Sequence, residues 1–210
     1  MQPKPKVPTF AEQLAAARSA AVHLEMRDSY SVAKETEAFA AWQDGFRYDP
    51  DDRASWWRPW LTLIEETVAR GVEVRRVRIV SEPVSEYIRF EHSGTFTNVA
   101  AGEQIRWLPR RQASDIALPG NDFWLFDDQL VRFNHFTGDG ESAGPSFSDD
   151  PAVALLCSTA FASAWGRAVP CRTSSTASEP GHRTQQNRCR SPRPPAPRRP
   201  AEFWPHASPS

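Results

Sequence analysis

Cysteine is scarce in this sequence, and beyond residue 170 aliphatic side chains vanish. Of the three thiols, Cys157, Cys171 and Cys189, only Cys157 falls where a folded core is expected. On a helix face such a thiol reads as a small buried hydrophobe rather than a nucleophile or half of a disulfide. That usage fits a reducing cytoplasm. No run of about 18 apolar residues occurs, so no membrane-spanning helix is expected. No apolar stretch follows the lysines of the opening MQPKPKVPTF, so neither is a secretory signal. G-x-S-x-G, the P-loop and G-x-G-x-x-G are all missing, which removes the best-marked routes to acyl transfer, nucleotide phosphate binding and dinucleotide binding. The five histidines, His23, His92, His135, His182 and His206, share no metal-ligand spacing with a cysteine or carboxylate. No metal and no cofactor are expected. No internal repeat is visible.

Charge of one sign is also lacking overall, with 25 basic and 26 acidic side chains and a net charge of −1. The balance hides an asymmetry. Residues 1–170 carry 18 basic and 24 acidic side chains, whereas 171–210 carry seven Arg and two Glu. A mildly acidic folded part makes no strong case for nucleic acid as its partner. The 171–210 stretch holds no Leu, Ile, Val or Met. A segment such as SPRPPAPRRP buries too little apolar surface to offset the entropy of ordering, and Phe203 and Trp204 do not change that. The expected organisation is a disordered N-terminus over 1–8, a folded domain over 9–170 and a disordered Arg/Pro/Ser-rich tail over 171–210.

What is present is 40% hydrophobic content with eight Trp and twelve Phe, enough to fill a core. Thr9 and Glu12 form a T-x-x-E capping box ahead of Phe10, Leu14, Ala17 and Ala21 at helical spacing. The alternating run 23–26 suits a short strand. Ser31 is placed to cap a helix over 34–43, closed by Gly45. Residues 49–52 read as a turn, and Pro59 as a first-turn proline. Leu61, Ile64 and Val68 then stripe a helix ended by Gly71. The β-branched run 72–80 predicts a strand. Pro83 is expected to break it and to start a helix from 84, with its end at about 92 or, if Gly94 does not stop it, at 101. A strand over 105–108 follows, stopped by Pro109. Strand, helix, strand in this span implies a parallel pair. Runs 123–126 and 130–136 flank Asp127-Asp128-Gln129 as a hairpin. Asp139-Gly140 marks a turn, 142–147 an edge strand, and Asp149 or Asp150 a cap for a helix begun by Pro151. Val153, Leu156, Cys157, Ala160, Phe161 and Ala164 predict its core-facing stripe. The fold class is α/β or α+β: a small mixed sheet with a βαβ unit and a hairpin, flanked by helices.

Several segments carry a family resemblance. RRVRIVSEPVSEYIRFE, NVAAGEQIRWLPR and LPGNDFWLFDDQLVRFNHF, with HLEMRDSY before them and DDPAV after, resemble the actinomycete DUF6879 family over about residues 10–170. The resemblance implies a cytoplasmic protein without an assigned activity, encoded beside helix-turn-helix regulators, and carries over no catalytic residue. The chain departs from the family after Ala168-Val169-Pro170, where the composition changes abruptly. A shifted reading frame near codon 170 and a natural disordered tail both account for that change.

Candidate sites follow from residue chemistry, and each has a structural alternative. Arg76, Arg78, Ser81, Glu82, Ser85, Tyr87 and Arg89 cluster at a strand-to-helix junction, where open α/β sheets take ligands. Hydroxyls near a helix N-terminus beside guanidiniums suit an anion. The alternative is that the serines cap the helix while the arginines pair with Glu on neighbouring strands. Asp127 and Asp128, with Asp122, offer paired carboxylates for a cation or acid–base work, or else shape the hairpin. Arg106, Arg110 and Arg111 beside Trp107 suit phosphate binding or a solvated edge. Trp56, Trp57 and Trp60 suit an interaction patch or core. The strand-borne R-x-R and FWLFDD runs also resemble phospholipase-D-type folds, but the catalytic H-x-K-x4-D motif is absent. The expected function is a regulatory module, leaning away from catalysis, that binds a small anionic ligand or a helix-turn-helix regulator. The alternatives are a phosphoester hydrolase or nuclease using Arg76, Arg78 and Asp128, and half of a toxin–antitoxin-like pair.

Overall fold

The T-x-x-E box at the start of the domain forms as spaced. The Thr9 hydroxyl accepts from the Glu12 N–H at 3.2 Å, and the Glu12 carboxylate accepts from the Thr9 N–H at 2.6 Å. The structure, a computed structural model, describes residues 8–30 and 33–171. The expected cap at Ser31 and the expected disorder over 1–7 and 172–210 lie outside the described residues. The order of elements is α1 (Phe10–Ala16), β1 (Ala20–Glu25), α2 (Ala33–Gln43), α3 (Arg53–Trp56), α4 (Pro59–Ala69), β2 (Glu73–Val80), α5 (Glu86–Ala100) and β3 (Gln104–Pro109). A 3-10 turn (Arg110–Ala113) leads to β4 (Asp122–Phe126), β5 (Leu130–Phe136), β6 (Ser142–Ser148), α6 (Pro151–Arg167) and β7 (Val169–Pro170).

The strands make one mixed sheet in the order β6-β5-β4-β1-β2-β3-β7. β1, β2 and β3 run parallel, so α5 is the crossover of the expected βαβ unit. Residues 23–25 of the expected 23–26 strand belong to a longer, central strand that begins at Ala20, and Met26 lies just past its end. β4 and β5 form the expected hairpin, and β6 lies at one edge. At the other edge β7 pairs antiparallel with β3, and the Cys171 N–H donates to the Ile105 carbonyl at 3.2 Å.

Period-2 alternation divides the sheet between two cores. Val22, Leu24, Val77, Ile79 and Phe123 face α6, which presents Cys157, Phe161 and Ala164. Ala21, Val74, Trp124 and Phe126 face Leu14 of α1 and Leu61 and Ile64 of α4. His23 and Glu25 follow Ala21 in its pleat row, and Arg76 and Arg78 follow Val74. The second face therefore changes from apolar to ionised towards the carboxyl ends of β1 and β2.

Three expectations need correction. α1 ends at Ala16, so Ala21 of the expected helical stripe lies on β1. α5 starts at Glu86 rather than at 84, with Pro83 in the link before it, and runs to Ala100, the longer of the two expected ends. The Ser85 hydroxyl, accepting from the Ile88 N–H at 3.2 Å, fixes that start. On α6 Leu156 is 44% exposed and Ala154 is buried in its place. Small Ala154, Ala160 and Ala164 bring the helix close to the sheet, and Cys157 and Phe161 set its rotation, which leaves Leu156 on the flank. Cys157 is fully buried as expected, and burial pushes its thiol up to about 11.

Candidate functional site

The R-x-R run of β2 places Arg76 and Arg78 on one pleat face, and both are buried. A buried guanidinium needs carboxylate partners, and three elements supply them. Arg76 Nε lies 2.7 Å from Glu103, at the entry to β3, and its Nη1 lies 3.0 Å from Glu25 of β1. Arg78 Nη1 lies 2.5 Å from Glu91 of α5. Arg78 Nε meets the second Glu25 oxygen at 2.7 Å, off the direction of a good hydrogen bond, so this contact is an ion pair. The Glu103 carboxylate also accepts from Asn98 Nδ2 at 2.7 Å. Burial alone would depress both guanidiniums, but the charges of Glu103 and Glu25 at Arg76, and of Glu25 and Glu91 at Arg78, leave both raised. Three carboxylates thus surround two guanidiniums, and the cluster offers an anion no net positive charge.

His23 stacks on Trp124 with 4.2 Å between ring centroids. Burial, then Arg76 and Arg78, hold its pKa well below the usual histidine range. It is a neutral imidazole 3.5 Å from Glu25, with no hydrogen bond at Nδ1 among the described residues. Nearby, Asp122 accepts from the Tyr30 hydroxyl at 2.5 Å and from the Met26 N–H at 2.8 Å. Burial, the largest influence on Asp122, raises its carboxyl to about 6.

The loops at the carboxyl ends of the parallel strands are tied to one another. Asp28 accepts from the Ser81 N–H at 2.7 Å and from the Ser81 hydroxyl at 2.6 Å. The Ser85 hydroxyl donates to the Asp28 carbonyl at 3.1 Å. Arg110 donates to the Ser81 hydroxyl at 2.9 Å, to the Met26 carbonyl at 2.5 Å and to the Ile79 carbonyl at 3.2 Å. Arg111 pairs with Glu82. Arg106 donates to the Trp165 carbonyl at 2.9 Å, with its guanidinium 4.1 Å over that indole. Tyr87 packs between Tyr30, Phe39 and Phe90, and Arg89 is exposed on α5.

Asp127 and Asp128 do not join this group. Both adopt positive φ, 52° and 55°, in the β4–β5 turn. Asp127 accepts from the N–H groups of Arg18, Ser19 and Ala20 at 2.8–3.2 Å and from the Ser19 hydroxyl at 2.7 Å. Its partial burial favours protonation, but the hydrogen bonds prevail and lower its carboxyl to about 2. The Asp128 carboxylate accepts from the Ser158 hydroxyl at 3.2 Å. These contacts lie at the amino end of β1, whereas Glu25 with its arginines lies at the carboxyl end, about 17 Å away at the usual rise of a strand. Glu25, Asp28, Glu91, Asn98 and Glu103 are missing from the sequence-based candidates. The signal for them is an R-x-R on a strand buried on both faces, which requires acidic partners on the neighbouring elements.

The concave surface lies elsewhere. A cleft of about 420 Å³ opens between α2, the loop that follows it and α5. Trp42 and Phe90 meet there edge to face at 6.1 Å, beside Phe46, Tyr48 and Phe96. A shallower groove holds Trp57 and Trp60 near Arg58 and Glu66, while Trp56 is core. Among the described residues no group of three His, Cys, Asp or Glu side chains is placed to hold a metal ion. None of their helices is long and apolar enough to cross a membrane.

Fold and site define a mixed α/β sheet protein with a buried ion network at the carboxyl ends of its parallel strands. The family model for DUF6879, a domain of unknown function, matches residues 8–173, and the chain belongs to that family. No curated protein matches it. Among solved structures the chain is similar to a phospholipase D family member, Nuc from Salmonella typhimurium, at 12% identity and a TM-score of 0.44, covering 78% of this chain and 88% of that one. It is also similar to TrmBL2, an archaeal chromatin protein, at 15% identity and a TM-score of 0.41, covering 75% of this chain and 47% of that one.

Proposed function

We propose that the chain is a non-enzymatic regulatory module of the cytoplasm that binds a small anionic ligand or a partner protein such as a helix-turn-helix regulator. The observation that carries this reading is the self-neutralisation of the strand ends. Arg76 and Arg78, the cations a phosphoester would need, are each held between two carboxylates and shielded from solvent. Asp128, the matching carboxylate of a hydrolase reading, sits at the far end of β1. A buried ion network of this kind supports structure, while recognition is left to open surfaces. The test is a screen of the full chain against phosphodiesters with and without Mg²⁺, together with co-purification of any helix-turn-helix regulator encoded beside it. Retention of the regulator without hydrolysis is the expected result. Turnover that disappears in Asp128→Ala would overturn the reading in favour of a hydrolase.

A further inference from the structure

The α2–α5 cleft has a floor that the fold itself does not explain. Gly94 lies well inside α5, between Phe90 and Phe96. A glycine in a helix interior is unfavourable relative to alanine. Its φ is not in the left-handed region, and an added Cβ would meet no atom of the described residues within 4 Å. Neither backbone conformation nor packing therefore demands glycine here. What its bare Cα provides is a flat opening beside aromatic walls, with Phe46 still 51% exposed at the rim. A volume of about 420 Å³ is within the range of small-molecule sites.

The polar groups of the cleft point to the charge of its occupant. Trp42 Nε1 is buried and has no hydrogen-bond partner among the described residues. The Arg47 guanidinium lies 4.4 Å over the Trp42 ring and donates from Nη1 to the carbonyls of Trp42 and Phe46. Its partners are these two carbonyls and the Trp42 ring, and it meets no carboxylate among the described residues. A guanidinium at the cleft with no carboxylate partner among the described residues favours an anionic head group. Glu37 also lines the cleft and disfavours a doubly charged one such as a phosphate monoester.

We propose that this cleft binds a small aromatic monoanion, its ring over Gly94 between the aromatic side chains and its carboxylate on Arg47. The inference rests on the reading of the chain as a binding module and names the ligand class. Isothermal titration of the full chain with naphthoate, and with naphthylmethylammonium as the matched cation, tests it. Naphthoate is expected to bind and the ammonium not. Gly94→Leu fills the floor and Arg47→Gln removes the cation, so each is expected to weaken naphthoate by about tenfold or more. Gly94→Ala controls for folding, with a melting midpoint expected to rise by about 2–4 °C. Equal or tighter binding of the ammonium would overturn the proposal, as would a folded protein that takes up neither probe. Such a failure alongside an inactive phosphodiester screen leaves the non-enzymatic reading standing, whereas hydrolysis removes that reading.

Discussion

Glu25 is the residue on which the second face of the sheet depends most. Its two oxygens lie 3.0 Å from Arg76 and 2.7 Å from Arg78, and among the described residues no other carboxylate pairs with both. Glu25→Ala leaves each arginine one carboxylate in a buried place, and removing one partner of a buried pair is strongly destabilising. A loss of about 3 kcal/mol in urea unfolding is expected, with Glu25→Gln losing less because it keeps an acceptor. A change within experimental error would mean that water reaches the cluster. Asp122 makes the pH-dependent counterpart. Its folded carboxyl titrates near 6, above its ordinary value of 3.8. The folded state therefore holds the extra proton, and the stabilisation is complete below about 4 and lost as pH rises through about 6. Asp122→Asn, neutral throughout, should flatten that part of the stability profile. An unchanged slope between pH 4 and 6 would assign it to another group.

Among the elements, the turn from α5 into β3 links fold and ion network most directly. Gly102 takes φ of +95°, and a Cβ there would lie 3.0 Å from Val68 Cγ1. Next to it Glu103 is buried against Arg76. Gly102→Ala adds a backbone penalty to a close contact with α4 and should lower the unfolding free energy by at least about 1 kcal/mol, read from the urea midpoint. Wild-type stability would show that α4 yields. The sequence marks α5 only in part. Its cap at Ser85 and the break after β2 are local and readable. Its full length is not, because Gly94 suggests an end that the packing of Ile88, Thr95 and Thr97 overrides. The rotation of α6 is hidden for a related reason. Leu155 and Leu156 look more core-like than alanine, and only the close approach of the sheet selects the alanine side.

For the molecule as a whole, local chemistry determined a great deal. Capping box, first-turn prolines, Asp-Asp hairpin, βαβ spacing and family membership all follow from residues close in sequence, since caps, turns and period-2 alternation act over a few residues. The sequence by itself also separated a stretch rich in aliphatic spacing from one without it. Only the tertiary structure decided what the arginines do. Glu25, Glu91 and Glu103 come from a strand, a helix and a turn spread over nearly eighty residues, and no local pattern pairs them with Arg76 and Arg78. The placement of Asp128 at the opposite end of β1, and of the cleft under α2, was likewise decided by how the strands stack and where the helices lie on them. Charge partners and cavities depend on distances in space, and the order of residues fixes those only after the sheet has assembled.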